Sequence, residues 1–220
     1  MPPTATLEAI KAHQQRVEKN KITANSLPAC PRCLVESMYF KLHAYRERRF
    51  LIIIEMFVQA VYCSLVRFRC PGCGKTFTHY PEFAIPHKHY TQPSITGFSA
   101  SYLDTDDMTY QQTVMVDGSV PGYPQSDATL APSTVHRWIT TAGQLPRTCR
   151  TALSVLLQDN PTSSICRDLA LWVVPARKYK TQQRKKQLVG CRQLTVIEAF
   201  FQAIFNTSIF TKLATRCAFG

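Results

Sequence analysis

Residues 67–81 read RFRCPGCGKTFTHYP, and the Cys70-Pro-Gly-Cys73 turn inside them repeats an earlier Cys30-Pro-Arg-Cys33. Between the two knuckles lie 36 residues, 34–69. Each C-x-x-C turn lets two thiolates point at one cation, and strands running out and back between the turns bring the pairs together. Four soft thiolates around a tetrahedral Zn2+ close the shell and leave no position for water. Cys30, Cys33, Cys70 and Cys73 are therefore expected to hold one structural zinc ion. His79, His87, His89 and Cys63 lie nearby as substitutes, but four cysteines already complete the shell.

The chain between the knuckles, including YRERRFLIIIEMFVQAVYCSLVRFRC at 45–70, is rich in β-branched and aromatic residues. It predicts strands at roughly 38–44, 48–55 and 58–69. Ahead of the first knuckle, residues 5–21 have helical spacing with a sparse apolar face of Leu7, Ile10 and Val17. Behind the second, Pro81, Pro86 and interleaved aromatics mark an exit loop, and 91–104 read as a linker or short helix.

From residue 105 the pattern turns helical. DTDDMTYQQTVMV, residues 104–116, places acids in a first turn, which suits the positive end of a helix. DGSVPGYPQSD, 117–127, reads as a loop. LAPSTVHRWITTAGQL, 130–145, offers Ser133 as N-cap, an apolar i, i+3, i+4 set of Val135, Trp138 and Ile139, and Gly143 as terminator. Residues 147–158 form a further amphipathic helix. After NPTSS at 160–164 the tail predicts two helices, the first strongly basic. No internal repeat or low-complexity segment stands out.

The order helix, loop, short helix, turn, helix predicts a helix-turn-helix, whose last helix presents its N-terminal residues to the major groove. Ser133, Thr134, His136 and Arg137 would form that exposed face, with Arg137 suited to a guanine or phosphate. The expected fold is α+β: an N-terminal zinc-ribbon hairpin or small antiparallel sheet, then an all-α helix-turn-helix and C-terminal helices. The segments are a helical arm (1–27), the ribbon (28–90), a linker (91–104), the helix-turn-helix (105–146) and a basic helical region (147–220).

The formal net charge is +12, which favours a polyanionic partner. It is unevenly placed: +7 over residues 1–90, −5 over 91–136 and +10 over 137–220. Arg177, Lys178, Lys180, Arg184, Lys185 and Lys186 crowd a stretch without acids, and Arg67, Arg69, Lys75 and Lys88 flank the second knuckle. Both sets are candidate phosphate contacts. No apolar leader opens the chain, so a reducing cytoplasm is expected, with metal-bound thiolates in place of a disulfide framework. The apolar run 50–66 is too short, and too broken by Glu55 and Gln59, to span a membrane.

RFRCPGCGKTFTHYPEFAIPHKHY, 67–90, resembles the zinc-ribbon segment of bacterial insertion-sequence transposases and related transposon-associated DNA-binding proteins. LAPSTVHRWI, 130–139, is similar to the helix-turn-helix that follows the ribbon in such proteins. The resemblance implies recognition of double-stranded DNA (a transposon end, target or operator) in a bacterial, nucleoid-associated setting. Position by position, it implies Cys30, Cys33, Cys70 and Cys73 as ligands and Ser133–Arg137 as the reading helix. It departs in its ending. Only Asp159, Asp168 and Glu198 follow the reading helix, too few acids in too short a chain for a three-carboxylate, two-metal catalytic domain.

A non-catalytic DNA-binding protein is thus the expectation. The alternatives are a truncated or cryptic transposase or nuclease, drawing on His79, His87, His89, Asp104, Asp106 and Asp107, and an adaptor in a transposition or RNA-guided nucleoprotein complex. RNA would satisfy the same basic surface.

Overall fold

A computed structural model describes residues 3–54, 57–114 and 129–213. The architecture is α+β. Helix α1 (Pro3–Glu18) precedes a three-stranded sheet of order β1-β2-β3: β1 (Lys41–Ile54), β2 (Phe57–Arg69) and β3 (Thr76–His79). Then come α2 (Gln92–Asp104), α3 (Tyr110–Val114), α4 (Pro132–Ala142), α5 (Pro146–Asp159), α6 (Ile165–Leu171), α7 (Gln182–Phe205) and α8 (Ile209–Lys212). The chain divides into two compact units. One comprises the described parts of Met1–Ile52, Gln59–Pro93 and Phe210–Gly220, the other those of Ile53–Val58 and Ser94–Ile209.

The strands expected at 38–44 and 48–55 are a single strand, β1. The polar run Tyr45–Arg49 that suggested a break is carried through on a ribbon exposed to water, where polar side chains cost nothing. β2 and β3 pair antiparallel with Phe68 opposite Phe77 and Arg69 opposite Thr76. That register puts Val66, Phe68 and Phe77 on one face, buried with Val17, Ala24, Phe40, Cys30 and Cys70. Phe40 stacks on Phe77 at 4.9 Å.

β3 ends at His79, opposite Val66, so Ser64 lies beyond its reach. Helix α1 takes over there. The Gln14 side chain accepts from the Ser64 N–H at 3.0 Å, and His13 Nε2 donates to the Ser64 carbonyl at 3.2 Å. Both peptide groups of a strand residue are thereby satisfied by helix side chains. His13 is fully buried, lies parallel to His79 at 6.2 Å and meets Phe83 edge-on. Burial is the main reason its pKa falls to about 4, with the Ser64 carbonyl opposing, and burial likewise lowers that of His79.

In the second unit α7 is the spine, packing against α4, α5 and α6. It is long and apolar enough to cross a bilayer by length and composition. Its face of Leu188, Cys191, Leu194, Ile197 and Phe201 is nevertheless buried within the unit. Backbones meet where α4 ends. A Cβ on Gly190 would lie 2.8 Å from the Gly143 carbonyl oxygen, and one on Gly143 would overlap the Gln187 backbone. Gly143 therefore does more than terminate α4.

Several local expectations change. α4 begins at Pro132 with Ala131 as its N-cap residue, not Ser133. The proline ring presets φ for the first turn, and the Thr134 N–H donates to the Ala131 carbonyl at 2.9 Å. Residues 91–104, read as a linker or short helix, are largely α2. The acids near 105 are not a helical first turn. Thr109 opens α3 instead, through a reciprocal box: its hydroxyl accepts from the Gln112 N–H at 3.2 Å, and Gln112 accepts from the Thr109 N–H at 2.9 Å. The loop expected at 117–127, and with it the short middle helix of the helix-turn-helix, lies outside the described residues.

Two outcomes are expected. Gly190→Ala should lower unfolding free energy by about 1–3 kcal/mol in denaturant titrations, because two backbones must separate. His13 has a folded-state pKa below its unfolded value of 6.5, so its contribution is present above pH 6.5 and is lost as pH falls towards 4. Urea melts should therefore weaken across that window in the wild type, and with a smaller slope in His13→Gln.

Candidate metal centre

The two knuckles fold by the same hydrogen bonds. In the first, the Cys30 N–H donates to the Val35 carbonyl and the Leu34 N–H to the Cys30 carbonyl, both at 2.8 Å. In the second, the Cys70 N–H donates to Lys75 at 2.9 Å and the Gly74 N–H to Cys70 at 3.0 Å. The residue four after the first cysteine is left-handed in both turns, Leu34 at φ 60° and Gly74 at φ 72°. The reading missed this short repeat. Its sequence signal was the alignment of CPRCLV with CPGCGK.

The four sulfur atoms all lie within 4.8 Å of one another. The pairs Cys30–Cys73 and Cys33–Cys70 stand 3.4 Å apart. A tetrahedron with metal–sulfur bonds of about 2.3 Å has edges of about 3.8 Å, so the set fits one ion with small adjustments. Cys30 and Cys70 are buried, and Cys33 and Cys73 are partly so. Gly72 marks the closest approach of the second turn to the first: a Cβ there would meet Val35 at 3.1 Å and the Cys33 sulfur at 3.2 Å.

Burial opposes ionisation of Cys30, but the N–H groups of Arg32 and Cys33 outweigh it and bring its pKa to about 6. The Val35 N–H pulls Cys33 down, yet its sulfur neighbours, Cys70 first, hold it up at about 12. One thiolate suppresses the next. Four can coexist only with positive charge between them.

The other candidate residues fall into three groups. Near the knuckles, Arg67 donates to the Thr76 hydroxyl at 2.7 Å, while Arg69 and Lys75 are exposed. Lys88 is half-buried, and its carbonyl accepts from Arg48. His79 lies against His13 and away from the cysteine cluster, which among the described residues is the only group of three or more such ligands close enough to share an ion. Asp104, Asp106 and Asp107 gather no histidine either.

On α4, Ser133, His136 and Arg137 are exposed, and Val135, Trp138 and Ile139 are buried as expected. Thr134 is a correction to the exposed face: it is buried, with its hydroxyl accepting from Arg137 at 3.2 Å. Thr134 lies one turn before Trp138, four residues on, so it falls at the edge of the packed face.

The basic tail is the larger surprise. Arg177 pairs with Asp106 and Asp107, and Arg192 with Asp104. Lys178 donates to the Tyr102 and Thr105 carbonyls at the end of α2, a cation set on the negative end of a helix. Arg184 donates to the Tyr110 hydroxyl, to Thr140 at 2.9 Å and to Gln187 at 3.0 Å. Lys185 lies over the Tyr179 ring. Lys180 and Lys186 are exposed.

A family model described as a domain of unknown function, DUF6431, matches residues 30–116, opening on Cys30 and taking in all four clustered cysteines. No curated protein and no solved structure matches the chain.

The turn geometry yields a test. A left-handed non-glycine residue costs roughly 1–2 kcal/mol, and glycine returns part of that as chain entropy. Leu34→Gly should raise the stability of the metal-loaded protein by about 0.5–1 kcal/mol. Gly74→Ala should lower it by at least as much, read from denaturant midpoints at fixed metal concentration.

Proposed function

We propose that this chain is a non-catalytic, zinc-stabilised DNA-binding protein of a mobile element, acting on duplex DNA beside other subunits of a nucleoprotein complex. The observation that carries the reading is the closed four-thiol cluster. Thiolate ligands select zinc over harder cations, and a complete shell leaves no site for a metal-bound water. Its role is then structural, fixing the strand that bears Arg67 and Arg69 and the turn that bears Lys75.

The second support is α4. Its buried Val135, Trp138 and Ile139 leave Ser133, His136 and Arg137 exposed on its N-terminal half, as a reading helix requires. A net charge of +12 supplies the phosphate attraction. The intramolecular partners of Arg177, Lys178 and Arg184 move the expected contacts of the tail to Lys180 and Lys186.

Purified protein should carry one zinc per chain by mass spectrometry, and chelation should unfold the cysteine-bearing unit. Duplex binding should weaken steeply with salt, and Arg137→Gln should reduce the slope by about 0.9. Arg177→Gln should leave the slope unchanged and lower the melting temperature. Protein without zinc that ignores duplex DNA at low salt overturns the reading.

A further inference from the structure

The segment 32–49 leaves the first knuckle and runs into the outer half of β1. Between Lys41 and Glu47 every residue but Ala44 is exposed, so this half of the strand shows both faces to water. It contains the exposed cations Arg32, Lys41, Arg46 and Arg49, none ion-paired with a described residue, against two acids, Glu36 and Glu47. Among these cations stand exposed apolar groups: Leu34 at 78%, Met38 at 60%, Tyr39 at 63% and Tyr45 at 48%. Tyr45 is held in place by its hydroxyl, which donates to Asn20 at 2.7 Å.

β1 is an edge strand. Edges are commonly guarded by charge, and that alone would explain Lys41, Arg46 and Arg49. It does not explain the tyrosines, the methionine or a leucine on strained backbone, because edge protection removes such groups. A purely apolar partner would account for these side chains but not for the cations among them. Rings and cations interleaved through the knuckle turn, the 3-10 turn Ser37–Tyr39 and the strand that follows match a polymer that has both flat apolar faces and regular negative charge. In a duplex those faces are stacked inside, so exposed rings gain contact only where bases are unpaired.

We propose that segment 32–49 is a binding surface for single-stranded nucleic acid. Bases stack on Tyr39 and Tyr45, and phosphates meet Arg32 and the cations that share the Tyr45 face of the strand, Lys41 and Arg49. The inference rests on the nucleic-acid reading above and adds a second surface, separate in residues from α4.

Full-length, zinc-loaded protein is titrated by anisotropy with labelled oligothymidylate, with a mixed-sequence duplex of the same length, and with phosphatidylglycerol–phosphatidylcholine vesicles. Tyr39→Ala, at a residue exposed and without a side-chain hydrogen bond or ring contact among the described residues, should weaken single-strand binding about fivefold or more, and the Tyr39→Ala, Tyr45→Ala pair about 30-fold or more. The two phenylalanine replacements should bind within about threefold of wild type. Lys41→Gln with Arg49→Gln should lower the single-strand salt slope by about 1.4. Duplex binding should be unaffected by the tyrosine changes and reduced by Arg137→Gln.

Zinc content and melting temperature establish that each variant is folded, and Tyr39→Ala alone decides the matter if the double variant is not. Unchanged single-strand affinity in folded Tyr39→Ala, or vesicle binding that exceeds oligothymidylate binding, overturns this proposal and leaves duplex recognition standing. Binding to neither nucleic acid removes the functional reading as well.

Discussion

The convergence of four sulfur atoms is the constraint on which the first unit depends. A sheet with a four-residue third strand buries little by itself, and a long hairpin is marginal in water. Crossing Cys30 with Cys73 and Cys33 with Cys70 ties the approach to β1 to the turn between β2 and β3. The core formed by Phe40, Val66, Phe68 and Phe77 lies directly against that clasp and includes two of its cysteines. An ion held by the four thiols would bind in one cooperative event with hydrophobic burial there, because neither set of groups meets in an extended chain.

The second unit answers a question raised by charge alone. A −5 segment ahead of a +10 segment does not by itself say what the acids face. Part of the acidic stretch is the counter-charge of the tail. Asp104, Asp106 and Asp107 stand at the end of α2, where Arg177, Lys178 and Arg192 meet them or the adjacent carbonyls. Exposed pairs of this kind add little stability each, but they occupy cations that a count over the sequence would assign to a ligand. Arg48 of the first unit is likewise engaged, by the Ile85 and Lys88 carbonyls, but Arg32, Lys41, Arg46 and Arg49 have no ion-pair partner among the described residues, so equal formal charge carries different meaning along the chain.

What the sequence disclosed follows from how local each signal is. C-x-x-C spacing fixes ligand geometry within a turn, so the cluster was legible, as were the α+β order and the apolar side of α4. Features set by a distant partner were not. His13 looked like a polar residue on a sparse helix, and only the missing extension of β3 beside Ser64 explains its burial. The burial of Thr134 is legible in its i, i+4 spacing to Trp138, a spacing that an apolar set confined to Val135, Trp138 and Ile139 leaves out. Nothing local marks Arg177 and Arg184 as engaged, because their partners Asp106 and Tyr110 lie some 70 residues upstream. Gly143 was legible as a terminator but not as the place where α7 passes over bare backbone.

The two knuckles also show where folding and another demand diverge. They share every backbone hydrogen bond of the turn, so the same residue type would suit the fourth position of both. Glycine occupies it at 74, where Arg69 approaches within 3.2 Å of where a Cβ would be. At 34 it is leucine, left-handed and exposed, with no burial to offset the backbone cost. Nothing in the turn's own geometry asks for that side chain. A strained backbone that presents an apolar group to water, beside Met38, Tyr39 and a row of unpaired cations, places the first knuckle's outer surface under a demand that stability does not make.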